Sequence, residues 1–266
     1  MTATQSIAWL DMRLRVPADW EIVRHSVRTA AGRLVFVDRR EQRLLLTWAD
    51  CPTPPDTDRL FADYRARDEV TAATPLPVTD GWSGYRTATL TRAGRYDPHH
   101  RRWIELTITA PGQETALLQQ FAIATTNHRR EWRAFGFAVE TPADWSLAAV
   151  DIQPAAATCT FRRQRAEVRV RRLGMTETWF KGDLEKFLQP QVTGTFRTMT
   201  HRSHPAGLVE SREVGHRWQR LLGRLRPRHD LAWHCPVNHA VFQLTTLSAA
   251  PVDEIVVRCC GEETGS

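Results

Sequence analysis

The tetrapeptide Pro-Ala-Asp-Trp occurs twice, at Pro17–Trp20 and at Pro142–Trp145, 125 residues apart. A chain that repeats itself over such a distance is constrained to fold as copies of one unit. At that spacing the flanking residues also correspond, with apolar side chains meeting at Ile7/Trp132, Leu10/Phe135, Met12/Phe137 and Leu14/Val139. Downstream, Leu34 falls on Cys159 and Phe36 on Phe161; one deletion then sets Leu44 on Val168 and Leu46 on Val170. The later part of each half corresponds at a spacing of 138 residues, with Pro98 on Pro236, Leu106 on Leu244, and Leu117, Leu118 on Ile255, Val256. Two copies are too few for a solenoid. The sequence therefore predicts two domains, residues 1–128 and 132–261, divided at the polar stretch from Thr125 to Glu131.

Each copy reads as the same series of elements. A short strand leads to Pro-Ala-Asp-Trp, where proline fixes φ and removes a donor, ending the strand. A hairpin with period-two alternation follows, at Arg33–Asp38 and Arg43–Trp48 in the first half and Thr158–Arg163 and Val168–Arg172 in the second. A helix is expected in the middle, starting at the N-cap residue Asp56 in one copy and at Thr176 in the other. Two more strands flank a turn, and a last helix closes each copy, over Gln113–Ala124 and Val252–Cys260. Strands in runs with helices at set points imply an α+β fold, a tandem duplication of an antiparallel sheet domain flanked by helices.

The openings "RLRVPADWEI" and "AVETPADWSL", the hairpin after each, and the closing "WIELTITAP…ALLQQFAIAT" resemble the fold superfamily shared by the photosystem II protein PsbP, the Mog-one nuclear import factor and DcrB-like proteins. The resemblance covers both halves and implies a PsbP-like α/β/α sandwich in two tandem copies. It also implies a binding, assembly or chaperone-like role without catalysis, since most members placed nearby are non-enzymatic. No site residue is carried over from it.

The 266 residues, 42% hydrophobic, can bury real cores. No apolar run reaches 18 residues, so no membrane span is expected, and the first residues lack the apolar stretch of a signal peptide. A cytoplasmic location is the corresponding expectation. Five cysteines without regular spacing fit reduced thiols. Cys159 and Cys259, opposite Leu34 and Phe121 in the other copy, are expected in the core.

No phosphate loop, serine elbow or His-Glu-x-x-His is present. His201, Ser203 and His204 form a trio too common by chance to mark a nucleophile, and Cys51 has no histidine near it in sequence. His234, Cys235 and His239 come nearest to a ligand set, but they lack two clean ligand pairs, so neither metal nor other cofactor is expected. The matching turn of the first half holds His99 and His100, which are either solvated or in contact with an anionic partner.

The net charge is +6, and 34 of the 36 basic residues are arginine. Between Phe161 and Arg228 sixteen basic residues face six acidic ones. Arg169 and Arg171 alternate with Val168 and Val170 where the first copy has Leu45 and Thr47, and Arg220, Arg224 and Arg226 follow. Guanidinium forks suit carboxylates, phosphates or a nucleic-acid backbone. Their plain reading is a solvated face or pairing with acids. Three functions follow in order: a non-catalytic module binding another protein, an acidic one being the partner these arginines suit; a binder of anions or nucleic acid through these arginines; and a metal-site protein or enzyme.

Overall fold

The computed structural model describes residues 3–76, 80–110, 112–124, 128–191, 195–201, 204–213, 228–247 and 254–259. Antiparallel sheet dominates and helices are few. The chain divides into two compact units, Met1–Thr125 and Thr126–Ser266.

The first unit opens with hairpin strands β1 (Thr4–Trp9) and β2 (Met12–Pro17), then β3 (Glu21–Arg24), β4 (Ala31–Val37) and β5 (Gln42–Asp50). Helix α1 (Thr57–Arg67) leads to β6 (Thr74–Pro75), β7 (Ser83–Arg86), β8 (Thr91–Asp97) and β9 (Arg102–Ile108); α2 (Glu114–Gln119) and β10 (Ala122–Ile123) end the unit. Seven strands form one sheet in the order β3-β4-β5-β9-β8-β7-β6, while β10, β2 and β1 pair in that order separately.

Period two decides which face of the large sheet meets the core. Leu34, Phe36, Leu44, Leu46, Ile104, Leu106 and Ile108 lie on one face and are fully buried. Above them Arg102, on the same face, sends Nη1 to the Leu10 carbonyl at 3.1 Å, at the tip of the β1–β2 hairpin. The tip itself has left-handed backbone at Leu10 and Asp11. On the opposite face lies α1. Its N-cap Asp56 accepts from the Arg59 N–H, and Phe61 meets Tyr85 and Trp103 at ring distances of 6.0 and 6.2 Å. Gly94 is required here, since a Cβ at that position would lie 2.0 Å from Trp103 Cζ2. At the β4–β5 turn Asp38 accepts from the backbone of Glu41 and Arg40 and from Arg43, and the Glu41 and Arg40 bonds lead in holding its carboxyl down at about 2.

The second unit holds β11 (Arg129–Ala134), β12 (Phe137–Pro142), β13 (Ser146–Gln153), β14 (Ala156–Arg163) and β15 (Ala166–Leu173). Two short helices, α3 (Thr176–Trp179) and α4 (Leu184–Leu188), precede β16 (Thr195–His201), β17 (His204–Glu213), β18 (Arg228–Cys235), β19 (Ala240–Leu247) and β20 (Val256–Arg258). Its large sheet runs β13-β14-β15-β19-β18-β17-β16, and β20 pairs with β12. The β11–β12 hairpin packs on the apolar face through Trp132 against Phe161 (6.0 Å) and Phe137 against Phe242 (6.1 Å).

Both Pro-Ala-Asp-Trp segments are tight turns in which the Trp N–H bonds the Pro carbonyl at 3.1 Å. Trp20 and Trp145 are both buried. At Asp144 the carboxylate meets Arg163 at 3.5 Å, and that guanidinium lies 4.9 Å above the Trp145 ring.

Three expectations need correction. The single helix expected from Thr176 is two, because Gly182 takes φ +82° and Asp183 then caps a new helix through the Lys186 N–H. The helix expected over Val252–Cys260 gives way to strand at Val256–Arg258, where β12 offers an open edge for pairing. The closing helix of the first unit stops at Gln119 for the same reason, with Ala122 and Ile123 paired to β2. The helices are thus a minor covering on a largely β structure.

The outer edge strands carry irregularities of register, between Ile22 and Arg24 in β3 and between Leu147 and Ala149 in β13. Val23 in β3 and Ile152 in β13 are exposed.

Replacing Gly94 by Ala is expected to cost about 1–3 kcal/mol, because the Trp103 ring must leave its place. A urea titration measures it, and an unchanged midpoint would contradict the packing.

Candidate functional site

On β15 of the second unit, Glu167, Arg169, Arg171 and Leu173 share the face that α3 and α4 partly cover. The pairing puts Val241 beside Leu173, Gln243 beside Arg171 and Thr245 beside Arg169. On the far side of β19, Ala232 stands opposite Gln243 and Asp230 opposite Thr245. Leu184, Leu188, Val209, Ala232 and Val241 make a buried apolar cluster, with Leu173, Phe180 and Phe187 packed against it. The helices end there, and the next positions along the strands are polar.

Two buried carboxylates organise the polar part. Glu167 receives Nε and Nη2 of Arg162 at 2.9 Å, and Nε and Nη2 of Arg169 at 2.8 and 2.7 Å. Burial pushes the Glu167 carboxyl up, but the hydrogen bonds from Arg169 and Arg162 outweigh it and the net shift is down. Asp230, fully buried, receives Arg228 through Nε at 2.7 Å and Nη2 at 3.0 Å, Gln243 Nε2 at 2.9 Å and Thr245 Oγ1 at 2.6 Å. Arg228 also bonds the Gln191 carbonyl through Nη1 at 2.8 Å. Arg169 and Arg162 stay 52% and 60% exposed, so both reach solvent while paired. Arg171 is half-buried, between Thr158 on β14 and Gln243 on β19, and has no hydrogen bond or ion pair among the described residues. Arg220, Arg224 and Arg226 lie outside the described residues, as does Ser203.

The histidine turn of the first unit is differently committed. His100 bonds Asp97 through Nδ1 and stands 3.9 Å from Asp11 through Nε2, so two carboxylates hold its ring. His99 is exposed, its ring edge-on to His100 at 4.6 Å, and its backbone N–H bonds Asp97.

His234, Cys235 and His239 do not converge. Consecutive strand residues point to opposite faces, so His234 and Cys235 are separated by the sheet itself. His234 packs under α3, 5.0 Å from the Phe180 ring, and meets Thr176 Oγ1 at 3.3 Å. Cys235 is fully buried, and the exposed His239 pairs with Glu177 at 2.7 Å. Among the described residues no group of three or more His, Cys, Asp or Glu could hold a metal ion. Cys159 and Cys259 are both buried.

A second surface was not anticipated from the sequence. Beside α3, Met175, Trp179 and Val237 are 62%, 40% and 72% exposed. Met175 has left-handed backbone, φ +53°, and the 236–239 turn is fixed to α3 by the Thr176 N–H on the His239 carbonyl at 3.3 Å. The only two lysines of the chain, Lys181 and Lys186, lie just beyond Trp179 and are exposed. A Trp within a polar, Gly-punctuated stretch is a usable signal that sequence reading passed over.

Compared with known proteins, the chain matches no family model, no curated protein and no solved structure. Among the described residues no helix is long and apolar enough to cross a membrane.

Two outcomes follow from this chemistry. Burial pushes the Cys159 thiol up to about 12, so it stays protonated and resists maleimide in the folded protein, while the half-exposed Cys51 is labelled; peptide mass spectrometry reads the difference. Burial, and to a smaller extent His239, holds His234 below its ordinary 6.5. Below pH 6.5 the unfolded chain takes up a proton at this histidine that the folded chain lacks, so its contribution to stability falls as pH drops and is constant above. His234→Phe should lose less stability than the parent between about pH 7 and about pH 5, measured by urea titration at each pH.

Proposed function

We propose that the chain is a tandem pair of PsbP-like domains acting as a non-catalytic binding module through protein–protein contacts. The duplication is supported by the common strand order of the two large sheets. Register supports it too: Leu46 stands between Leu34 and Leu106, as Val170 stands between Cys159 and Leu244. So do the matching turns, with Leu10 and Asp11 left-handed in one hairpin and Phe135 and Gly136 in the other.

The observation that carries the functional reading is the apolar surface of Met175, Trp179 and Val237. Exposed Trp and Met in one place are the composition of contact surfaces, where a few aromatic anchors provide most of the binding energy. The left-handed conformation of Met175 costs of order 1–3 kcal/mol, and such strain concentrates at working surfaces. The surface is rigidly seated, since Trp179 Nε1 bonds the Gly174 carbonyl at 2.9 Å and its ring lies 5.9 Å from Phe187.

Lys181 and Lys186 provide the test, because amine-directed crosslinkers attach to this chain only there and at the amino terminus. Crosslinking in an extract of the native cells should join the parent chain to a discrete partner. Trp179→Ala with Val237→Ser should reduce that product about tenfold or more in protein that still unfolds in one cooperative transition. An undiminished product from the double variant would overturn the assignment of the surface.

A further inference from the structure

We infer that the sheet face around Arg171 in the second unit binds an extended acidic segment of a partner protein. This rests on the reading of the chain as a protein-binding module and gives that partner its chemistry.

One guanidinium of this face lacks a carboxylate among the described residues. Arg162, Arg169, Arg171 and Arg228 share it with two buried carboxylates, Glu167 and Asp230. Glu167 is filled by Arg162 and Arg169, and Asp230 by Arg228, Gln243 and Thr245. Asp151, two strands from Arg171 in the same row, accepts from Gln153 Nε2 at 3.0 Å. Arg171 is therefore left without an acid among the described residues, although its half-buried position has already removed part of its hydration. A guanidinium in that state gains from a carboxylate supplied by a ligand, where the hydrogen bonds are charge-assisted and geometrically matched. Arg162 and Arg169 each bond Glu167 through Nε and Nη2, and a guanidinium has five N–H donors, so among the described residues Nη1 of each remains to donate.

The spacing selects an extended chain. Arg169 and Arg171 are two residues apart on β15, about 6.6–6.8 Å, which is also the spacing of alternate side chains in an extended peptide. Glutamates at alternate positions would meet both arginines in register. The same face continues from Arg171 to Leu173 and the aromatic layer of Phe187 and Trp179, which suits an apolar residue at the end of the acidic run. A nucleic-acid backbone fits less well. A duplex carries about one charge per 1.7 Å of helix axis and a single strand about one per 3.4 Å, and either needs a run of unopposed cations, whereas Glu167 and Asp230 interrupt this one.

The probes are a fluorescent peptide of alternating Glu and Ser ending in Leu, and an oligothymidylate of equal length, titrated against the full chain at about 50 mM and about 200 mM salt. The peptide should bind more tightly than the oligothymidylate. Arg171→Gln should weaken the peptide about tenfold to a hundredfold, as expected for loss of one charge-assisted pair. Arg171→Lys, which keeps the charge but loses the fork, should fall between. Arg40→Gln, at an exposed turn of the first unit, removes the same charge and should leave binding unchanged. Equal losses in Arg40→Gln and Arg171→Gln, no binding of the peptide, or tighter binding of the oligothymidylate would each overturn the inference. If peptide binding fails while Trp179-dependent crosslinking persists, the acidic segment is wrong and the protein-binding reading stands. Peptide binding without Trp179-dependent crosslinking would keep the acidic segment and overturn the assignment of the Met175, Trp179 and Val237 surface.

Discussion

Strand β5 against β9, and β15 against β19, set the register of each unit. In the first pair Leu44 and Leu46 stand opposite Ile108 and Leu106; in the second Val168 and Val170 stand opposite Thr246 and Leu244. Side chains alternate along a strand, so a slip of one residue would drive Glu105, Arg169 and Arg171 into the core and expose the leucines. The observed pairing keeps the guanidinium groups in reach of water or of a carboxylate. The hairpins above the apolar face and the helices on the other face are placed by that choice.

The polar face is then closed in two ways. In the first unit an uninterrupted helix of 11 residues lies across it, and Arg92 sits beneath Tyr64 at 4.5 Å, paired with Asp68 at 2.9 Å and Glu105 at 3.3 Å. In the second unit the buried centre of the polar face has the opposite sign, Asp230, and the donors come from Arg228, Gln243 and Thr245. The interruption at Gly182 leaves two helices of four and five residues, which cover only the apolar end. A broken helix and an inverted charge together distinguish a face sealed by its own chain from one with donors to spare.

Much of this could be read from residues alone, because it depended on local pattern. The alternation of Leu34, Phe36, Leu44 and Leu46 marks strands, and Asp56 marks a helix start. Gly182 followed by Asp183 was equally legible as a stop and restart, but the apolar periodicity of Trp179, Phe180, Leu184 and Phe187 hid it. Strand β20 was not legible: its three residues after Asp253, Glu254 and Ile255 resemble a helix end, and only the open edge of β12 decides otherwise. The carboxylate clamps lay between these cases. Glu167 and Arg169 are two apart on one strand and predict each other, whereas Asp230 meets Gln243 and Thr245 only through the β18–β19 register.

The irregular edges of β3 and β13 bear on how such a molecule survives at high concentration. An open edge is a row of unused backbone donors and acceptors, and another molecule's edge can dock there and nucleate aggregation. In both strands an extra residue breaks that row after its first rungs, near Val23 in one and Ala148 in the other. The twist it introduces leaves too short a straight run for a stranger's strand to zip onto. Straightening either edge, by deleting the extra residue, would turn a protective kink into a template for aggregation, with Val23 or Ile152 as its adhesive side chain.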